Sequence, residues 1–225
     1  MQRHFEQELG ELKEKLLTMA SHTEGAVTLA LKALLARDDE LARSVKENDT
    51  IIDELEKEID EMAINLLTRA PLSNDLRLIT VAMKISHDLE RVGDEATTIA
   101  RRSLELSQEP QLKPYVVIPR MAQMGLEMLK QGLDAFVQRD PTRARAVIPR
   151  DKDVDALNKQ LHRELSSYMI EKPTTITRCL NLMVISKSLE RIADHATNVA
   201  EDVVYLYEAL DIRHTGKSGS RRPDQ

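Results

Sequence analysis

The chain holds one cysteine, two phenylalanines, four tyrosines and no tryptophan. A lone thiol, Cys179, excludes an intrachain disulfide and any thiolate cage around a metal. It lies in an apolar run, where a buried structural thiol is expected, and the lack of disulfides fits a reducing compartment. Sandwiches and barrels lean on aromatic and β-branched residues, so an aromatic share of 3% points to helices. The seven glycines are scattered and form no phosphate-cradling loop. With no Ser-His-Asp arrangement and no cysteine nucleophile in view, no enzyme is expected. The formal charge of −6 comes without a basic stripe, which argues against nucleic acid as a partner. No run approaches the ~18 apolar residues of a membrane span. Met1-Gln2-Arg3-His4-Phe5 leads straight into charged, helical sequence with no signal peptide, so a soluble, cytoplasmic protein is expected.

What is present is a duplication. Leu89-Glu90-Arg91-Val92-Gly93-Asp94-Glu95-Ala96-Thr97 returns 100 residues later as Leu189-Glu190-Arg191-Ile192-Ala193-Asp194-His195-Ala196-Thr197. Arg37-Asp38 matches Arg139-Asp140 at an offset of 102, as Asp49 and Asp53 match Asp151 and Asp155. A repeat of this length is not the heptad of a simple coiled coil.

Apolar spacing predicts a long helix from about Gln2 to Ala36, with Leu9, Leu12, Leu16, Met19 and Val27 on one face. A second runs to about Arg69, with Asp38 as its cap. Pro71 ends it, and Ser73 is read as the cap of a third, from Asn74 to about Ser107. Pro110 and Pro114 mark a linker. A fourth helix is expected from Pro119 to Arg139, and a fifth from Asp140-Pro141 to Ile170, kinked or interrupted at Pro149. The sixth runs from a cap at Thr174 to about Ile212. The expected architecture is all-α: two tandem three-helix bundles of six long helices, residues 1–108 and 115–212, with a disordered tail at 213–225. The nine methionines are read as core filling.

Placed at 100° per residue, Glu90 and Asp94 fall opposite the Ile85, Leu89, Val92, Ala96 stripe. Glu190 and Asp194 repeat this, and Asn198 and Glu201 continue their line. Asp49, Asp53, Glu56 and Asp60 on the second helix form a flanking stripe, as do Asp151, Asp155, Asn158 and His162 on the fifth. Neighbouring helices lie about 8–10 Å apart, so the stripes can converge at a shared groove. Carboxylates gathered there repel unless cations intervene; hard ions such as iron, manganese, magnesium or calcium would suit oxygen ligands. A lone acidic i,i+4 pair is ordinarily only solvated surface, or an ion pair of Glu90 with Arg91 or of Arg191 with Asp194. Its retention in both copies favours a role. Asn198, Glu201 and His162 make the second copy the stronger expected site, because Arg101 stands where Glu201 stands. His195 is expected at the surface, and His87 lies next to the acidic stripe.

The doubled Leu-Glu-Arg-(Val/Ile)-(Gly/Ala)-Asp motif, the Asp75-Leu76-Arg77 start and the double three-helix plan resemble the PhoU family of phosphate-signalling proteins. The resemblance implies two similar bundles side by side and a non-catalytic cytoplasmic regulator of phosphate uptake. Its implied partners are the ATPase subunit of the phosphate ABC transporter and a sensor histidine kinase, whose regulon it would repress when phosphate is plentiful. It further implies multinuclear iron or other divalent or trivalent ions on the bundle surface. The metal ligands would then be Asp49 with Asp53, Glu90 with Asp94, Asp151 with Asp155, and Glu190 with Asp194. A homodimer is expected from exposed apolar residues, with membrane association only through partners. The alternatives are a metal-free helical adaptor and a carboxylate-bridged di-metal enzyme. The latter would need inward Glu-x-x-His pairs, and the chain has none.

Overall fold

The computed structural model describes residues 2–69 and 72–212. The expected stop at Ala70-Pro71 and the tail at 213–225 lie outside these residues. The first half contains α1 (Gln2–Ala36), α2 (Asp39–Leu67) and α3 (Ser73–Ser107). The second contains α4 (Val117–Gln138), α5 (Pro141–Val147), α6 (Asp151–Glu171) and α7 (Ile176–Glu208). No strand occurs among the described residues.

Each half is a three-helix bundle, with α5 and α6 together taking the place that α2 has in the first. The interruption at Pro149 appears as a 3-10 turn at Ile148–Arg150. A proline has no N–H to continue the α ladder, and the tighter turn absorbs that loss. The bundles join along α3 and α7, the two helices that carry the repeated motif.

The α1–α2 and α4–α5 corners are built alike. Arg37 and Arg139 take left-handed φ values of 56° and 58°. Asp38 N–H then bonds Ala33 O, and Asp140 N–H bonds Ala135 O, both at 3.0 Å. Each aspartate next caps the following helix: Asp38 Oδ1 accepts from the Glu40 and Leu41 amides, Asp140 Oδ1 from the Arg143 amide. A helix end at φ > 0 usually takes glycine. Arg37 offsets that strain with its guanidinium, which donates to the carbonyls of Leu106, Ser107 and Glu109 and so closes the end of α3.

Two expected caps are not made. Ser73 is the first residue of α3 itself, and Leu72 precedes it without a side-chain cap. Thr174 lies in a 3-10 turn at Pro173–Thr175. Thr175 donates to Tyr168 O and Lys172 O, so its hydroxyl finishes α6 and does not start α7. The last helix stops at Glu208, with Ala209 at φ 55°, four residues short of the expected end.

Leu12, Leu16, Ile59, Ile85 and Val92 are sealed in the first bundle, and Leu129, Val154, Leu161, Ile185 and Val199 in the second. Each such side chain contributes about 1.5–3 kcal/mol. Met19, Met121 and Met128 are buried among them, as gap-filling predicts. Cys179 is free and buried.

Candidate functional site

Two acidic grooves run along the bundles, one between α2 and α3, the other between α6 and α7. The i,i+4 spacing stacks each aspartate or glutamate one turn above the next. In the first groove Asp49 stands opposite Asp94. Its pKa is raised by burial first, then by Asp53 and Asp94, with Thr97 acting the other way. Glu90 is raised by burial and then by Asp94 and Glu56, against the opposing effect of Arg91 and His87.

A tight group forms below Asp94. His87 Nδ1 lies 3.3 Å from Glu56 Oε1, and donor atoms of Glu56, His87 and Glu90 all lie within 4.8 Å of one another. Arg91 folds back over the groove, with Nε 3.3 Å from Glu90 Oε2 and Nη1 3.1 Å from Asp94 Oδ2.

The second groove has the same plan with different charge balance. Asp194 is pushed up to about 6, by burial first, then by Glu190 and Asp151. Asp151 is raised by burial and by Asp155 and Glu190. Lys187 stands where His87 stands in the first copy and pairs with Glu190. Asn158 stands where Glu56 stands, and its Oδ1 accepts a hydrogen bond from Ser186. Asp151 Oδ1 and His162 Nε2 are buried here with no hydrogen-bond partner among the described residues. An oxygen left unsatisfied among carboxylates that resist ionising gives a donor set that fits hard cations, while His162 lies about three turns along α6 from Asp151.

The expected outward stance holds for Asp94 and Asp194, which are exposed, and needs correction for the two glutamates. Glu190 is only 7% exposed, and the Glu90 side chain 16%. A wheel divided into core and solvent faces suits a helix with one neighbour. α3 packs against α1, α2 and α7, so its polar stripe meets another helix. Asn198 does not continue the Glu190–Asp194 line into the groove. Four residues turn through 400°, so the stripe drifts 40° per step. By Asn198 it has swung to the seam, where the amide donates to Asp88 Oδ1 at 3.1 Å. His195 is there too, half-buried, 2.8 Å from the same oxygen. Arg191 reaches Glu95 across the seam at 3.1 Å and leaves Asp194 to its acidic neighbours. Glu201 lies on α7 beyond Asn198, half-buried. The compact three-donor group belongs to the first copy, and among the described residues the second has no counterpart.

Sequence reasoning did not single out Asp88 and Glu95. Each differs from its repeat partner, Ser188 and His195, in the repeated stretch. That divergence was the available signal for a seam joining unlike copies.

The PhoU domain matches the chain twice, at residues 16–103 and 118–203. The phosphate-specific transport system accessory protein PhoU homolog of Pseudomonas aeruginosa is 41% identical over 216 residues, covering 95% of this chain and 89% of that protein. The homolog of the same name from Aquifex aeolicus is 42% identical over 208 residues, covering 92% and 94%. The crystal structure of PhoU from Pseudomonas aeruginosa superposes with a TM-score of 0.89 at 40% identity, over 92% of this chain and all of that one. The phosphate transport system regulatory protein PhoU from Streptococcus pneumoniae gives 0.87 at 29% identity, over 92% of this chain and 99% of that one. Two matched domains, near-complete coverage and the shared pair of bundles have one reading: the chain belongs to the PhoU family.

Proposed function

We propose that the chain is a non-catalytic accessory protein of phosphate uptake that represses the phosphate regulon when phosphate is plentiful. The observation that carries this is full-length similarity to phosphate-specific transport system accessory proteins, over 95% of the chain at 41% identity. The proposed partners are the transporter's ATPase subunit and the sensor histidine kinase, in the cytoplasm. A deletion strain grown at high phosphate tests the role. Elevated alkaline phosphatase, returned to normal by the intact gene, is the expected result; normal repression in the deletion overturns it.

The two acidic grooves are proposed to hold divalent or trivalent cations, iron among them. Asp49, Asp53, Glu56, His87, Glu90 and Asp94 would serve the first, and Asp151, Asp155, Glu190 and Asp194 the second. Mutual repulsion of these carboxylates supports the assignment, because a cation relieves it. Glu190→Ala with Asp194→Ala should lower the metal bound per chain by elemental analysis, and an unchanged content rejects the second site.

One observation favours a metal-free adaptor as a second reading. Arg91 and Lys187 already sit against Glu90 and Glu190 and supply part of the counter-charge. That reading requires chelated protein to bind the transporter ATPase with unchanged affinity. Pairing into a homodimer through exposed apolar residues such as Leu35, Val137 and Leu180 is proposed as well. Sedimentation at micromolar concentration tests it, a monomer being the contrary result.

A further inference from the structure

A cleft of about 1020 Å³ opens between α2, α3 and the middle of α7. It is distinct in charge from the rest of the molecule. The chain as a whole carries −6, yet five cations line this cleft: Arg43, Lys46, Arg91, Arg101 and Arg191. Three carboxylates share it, namely Glu47, Asp94 and Glu95. Two of them are committed within the protein, Asp94 to Arg91 and Glu95 to Arg191, each at 3.1 Å. Arg43 has only a distant contact, 4.0 Å, to Asp39 one turn back on its own helix. Lys46 and Arg101 make no ion pair with any described residue. Three cations therefore face the space with Glu47 as the one uncommitted acid among its lining.

The duplication supplies an internal comparison. At the matching positions of the second copy, Ile148 replaces Lys46 and Glu201 replaces Arg101. Arg145 replaces Arg43 and is tied to Glu208. The fold does not require Lys46 or Arg101, since the second bundle forms with Ile148 and Glu201 in their places and, of the three cations, keeps one only at Arg145.

Arg43 and Lys46 are three residues apart and share a face of α2, while Arg101 closes the cleft from α3. Guanidinium groups match phosphate oxygens with two parallel hydrogen bonds, and an ammonium adds a point charge. Cations spread over two helices suit a chain of phosphates better than a single one, and the volume is at the upper end of ordinary small-ligand pockets. Thr98 and Leu104 offer the remainder of such a ligand a less charged wall.

We propose that this cleft binds a small ligand bearing a di- or triphosphate chain. The site adjoins the first acidic groove and shares Asp94 with it, so metal is removed in the test to keep the two ligands apart. Full-length protein stripped with chelator is titrated calorimetrically with sodium pyrophosphate, ATP and orthophosphate, at low and at physiological ionic strength. Saturable binding of pyrophosphate or ATP is expected, weakening with salt as a solvent-open site should. Binding of both at similar strength assigns recognition to the phosphate chain alone, and preference for ATP adds the nucleoside.

Lys46→Ile with Arg101→Glu, which copies the residues of the second bundle, should weaken binding by about 100-fold, roughly tenfold for each cation removed. Ligand should raise the melting temperature of the native chain and leave that variant unmoved. Arg101→Gln alone should weaken binding about tenfold and serves if the double variant does not fold. Lys57→Ala, on α2 outside the cleft, should bind as the native chain does. The proposal is overturned by any of three results: no saturable binding of either phosphate chain, orthophosphate bound as tightly as pyrophosphate, or a folded double variant with native affinity.

Discussion

Asp88 on α3 and His195 on α7 meet across the seam of the two bundles, Oδ1 2.8 Å from Nδ1. The positions are not symmetric. The repeat partner of Asp88 is Ser188, and that of His195 is Glu95. The helices run antiparallel here, because Lys84 pairs with Asp202 at one end and Glu95 with Arg191 further along. Two ancestrally alike surfaces have become complementary by diverging at these positions. Asp88 is 8% exposed and also accepts from Asn198. Removing it leaves the half-buried His195 without its acceptor in the seam and frees the exposed Asn198 amide to water. Asp88→Ala should therefore cost about 1–3 kcal/mol in urea unfolding. A loss below about 0.5 kcal/mol, typical of a neutral surface change, would contradict the role.

The acidic grooves set a pH dependence of defined sign. Asp194 titrates at about 6 in the folded chain against 3.8 as the ordinary value. The folded state thus holds more protons than the unfolded one between those pH values, and this group's contribution to stability falls as pH rises through the window. Asp49, Glu90 and Asp151 shift in the same direction. In chelated protein, Asp194→Asn should melt above the native chain at pH 7.5, with the gap closing as pH falls from 6 to 4. A constant gap across that range would show that repulsion is not its source. Because Asp194 keeps contact with solvent, screening limits the size of the effect.

The helical plan and the paired carboxylates of both grooves could be read from spacing, whereas the placement of Asn198 could not. Asp49, Asp53, Glu90, Asp94 and their repeats do converge, since the i,i+4 period fixes which residues share a stripe. Depth could not be read that way. Whether Glu190 meets solvent or a helix depends on how many neighbours α7 has, and no local pattern encodes that. The seam was equally hidden: Asp88 and His195 are 107 residues apart in the chain. The start of α7 misled for a different reason. Thr174 has a capping chemistry, but Pro173 drew it into a 3-10 turn and passed the structural task to Thr175.

Gly93 and Ile52 are matched in size. A Cβ on Gly93 would stand 3.1 Å from Ile52 Cδ1 and 3.5 Å from Asp49 Oδ1. The second copy has Ala193 at the glycine position and the smaller Val154 at the isoleucine position. Gly93→Ala gains about 1 kcal/mol of helix propensity but overpacks a sealed site at about 1–3 kcal/mol, so a net loss of about 1 kcal/mol is expected. Ile52→Val alone should cost about 0.5–1.5 kcal/mol. Together they should cost less than the sum, with a coupling of about 1 kcal/mol in a double-mutant cycle. Strict additivity would mean that the backbone yields, and the groove would then widen beside Asp49.

Lys187 and His87 make the two grooves unequal. An ammonium paired with Glu190 repels any incoming cation and occupies a carboxylate that would bind it. An imidazole at the same place offers a ring nitrogen as a ligand to the cation. If the grooves bind cations, the first should bind more tightly, the reverse of the ranking that Asn198 and Glu201 invite. Lys187→His should tighten the second groove by about tenfold, since a single unit charge at a screened distance contributes on the order of 1 kcal/mol or more. Adding Asn158→Glu should complete a donor triple like that of Glu56, His87 and Glu90. The converse change, His87→Lys, should weaken the first groove to the level of the second. Titrating chelated protein with manganese(II) and counting bound ions by electron spin resonance reads all three variants. Affinities that do not move in either direction would remove Glu90 and Glu190 from the ligand sets, because each lies against the residue exchanged.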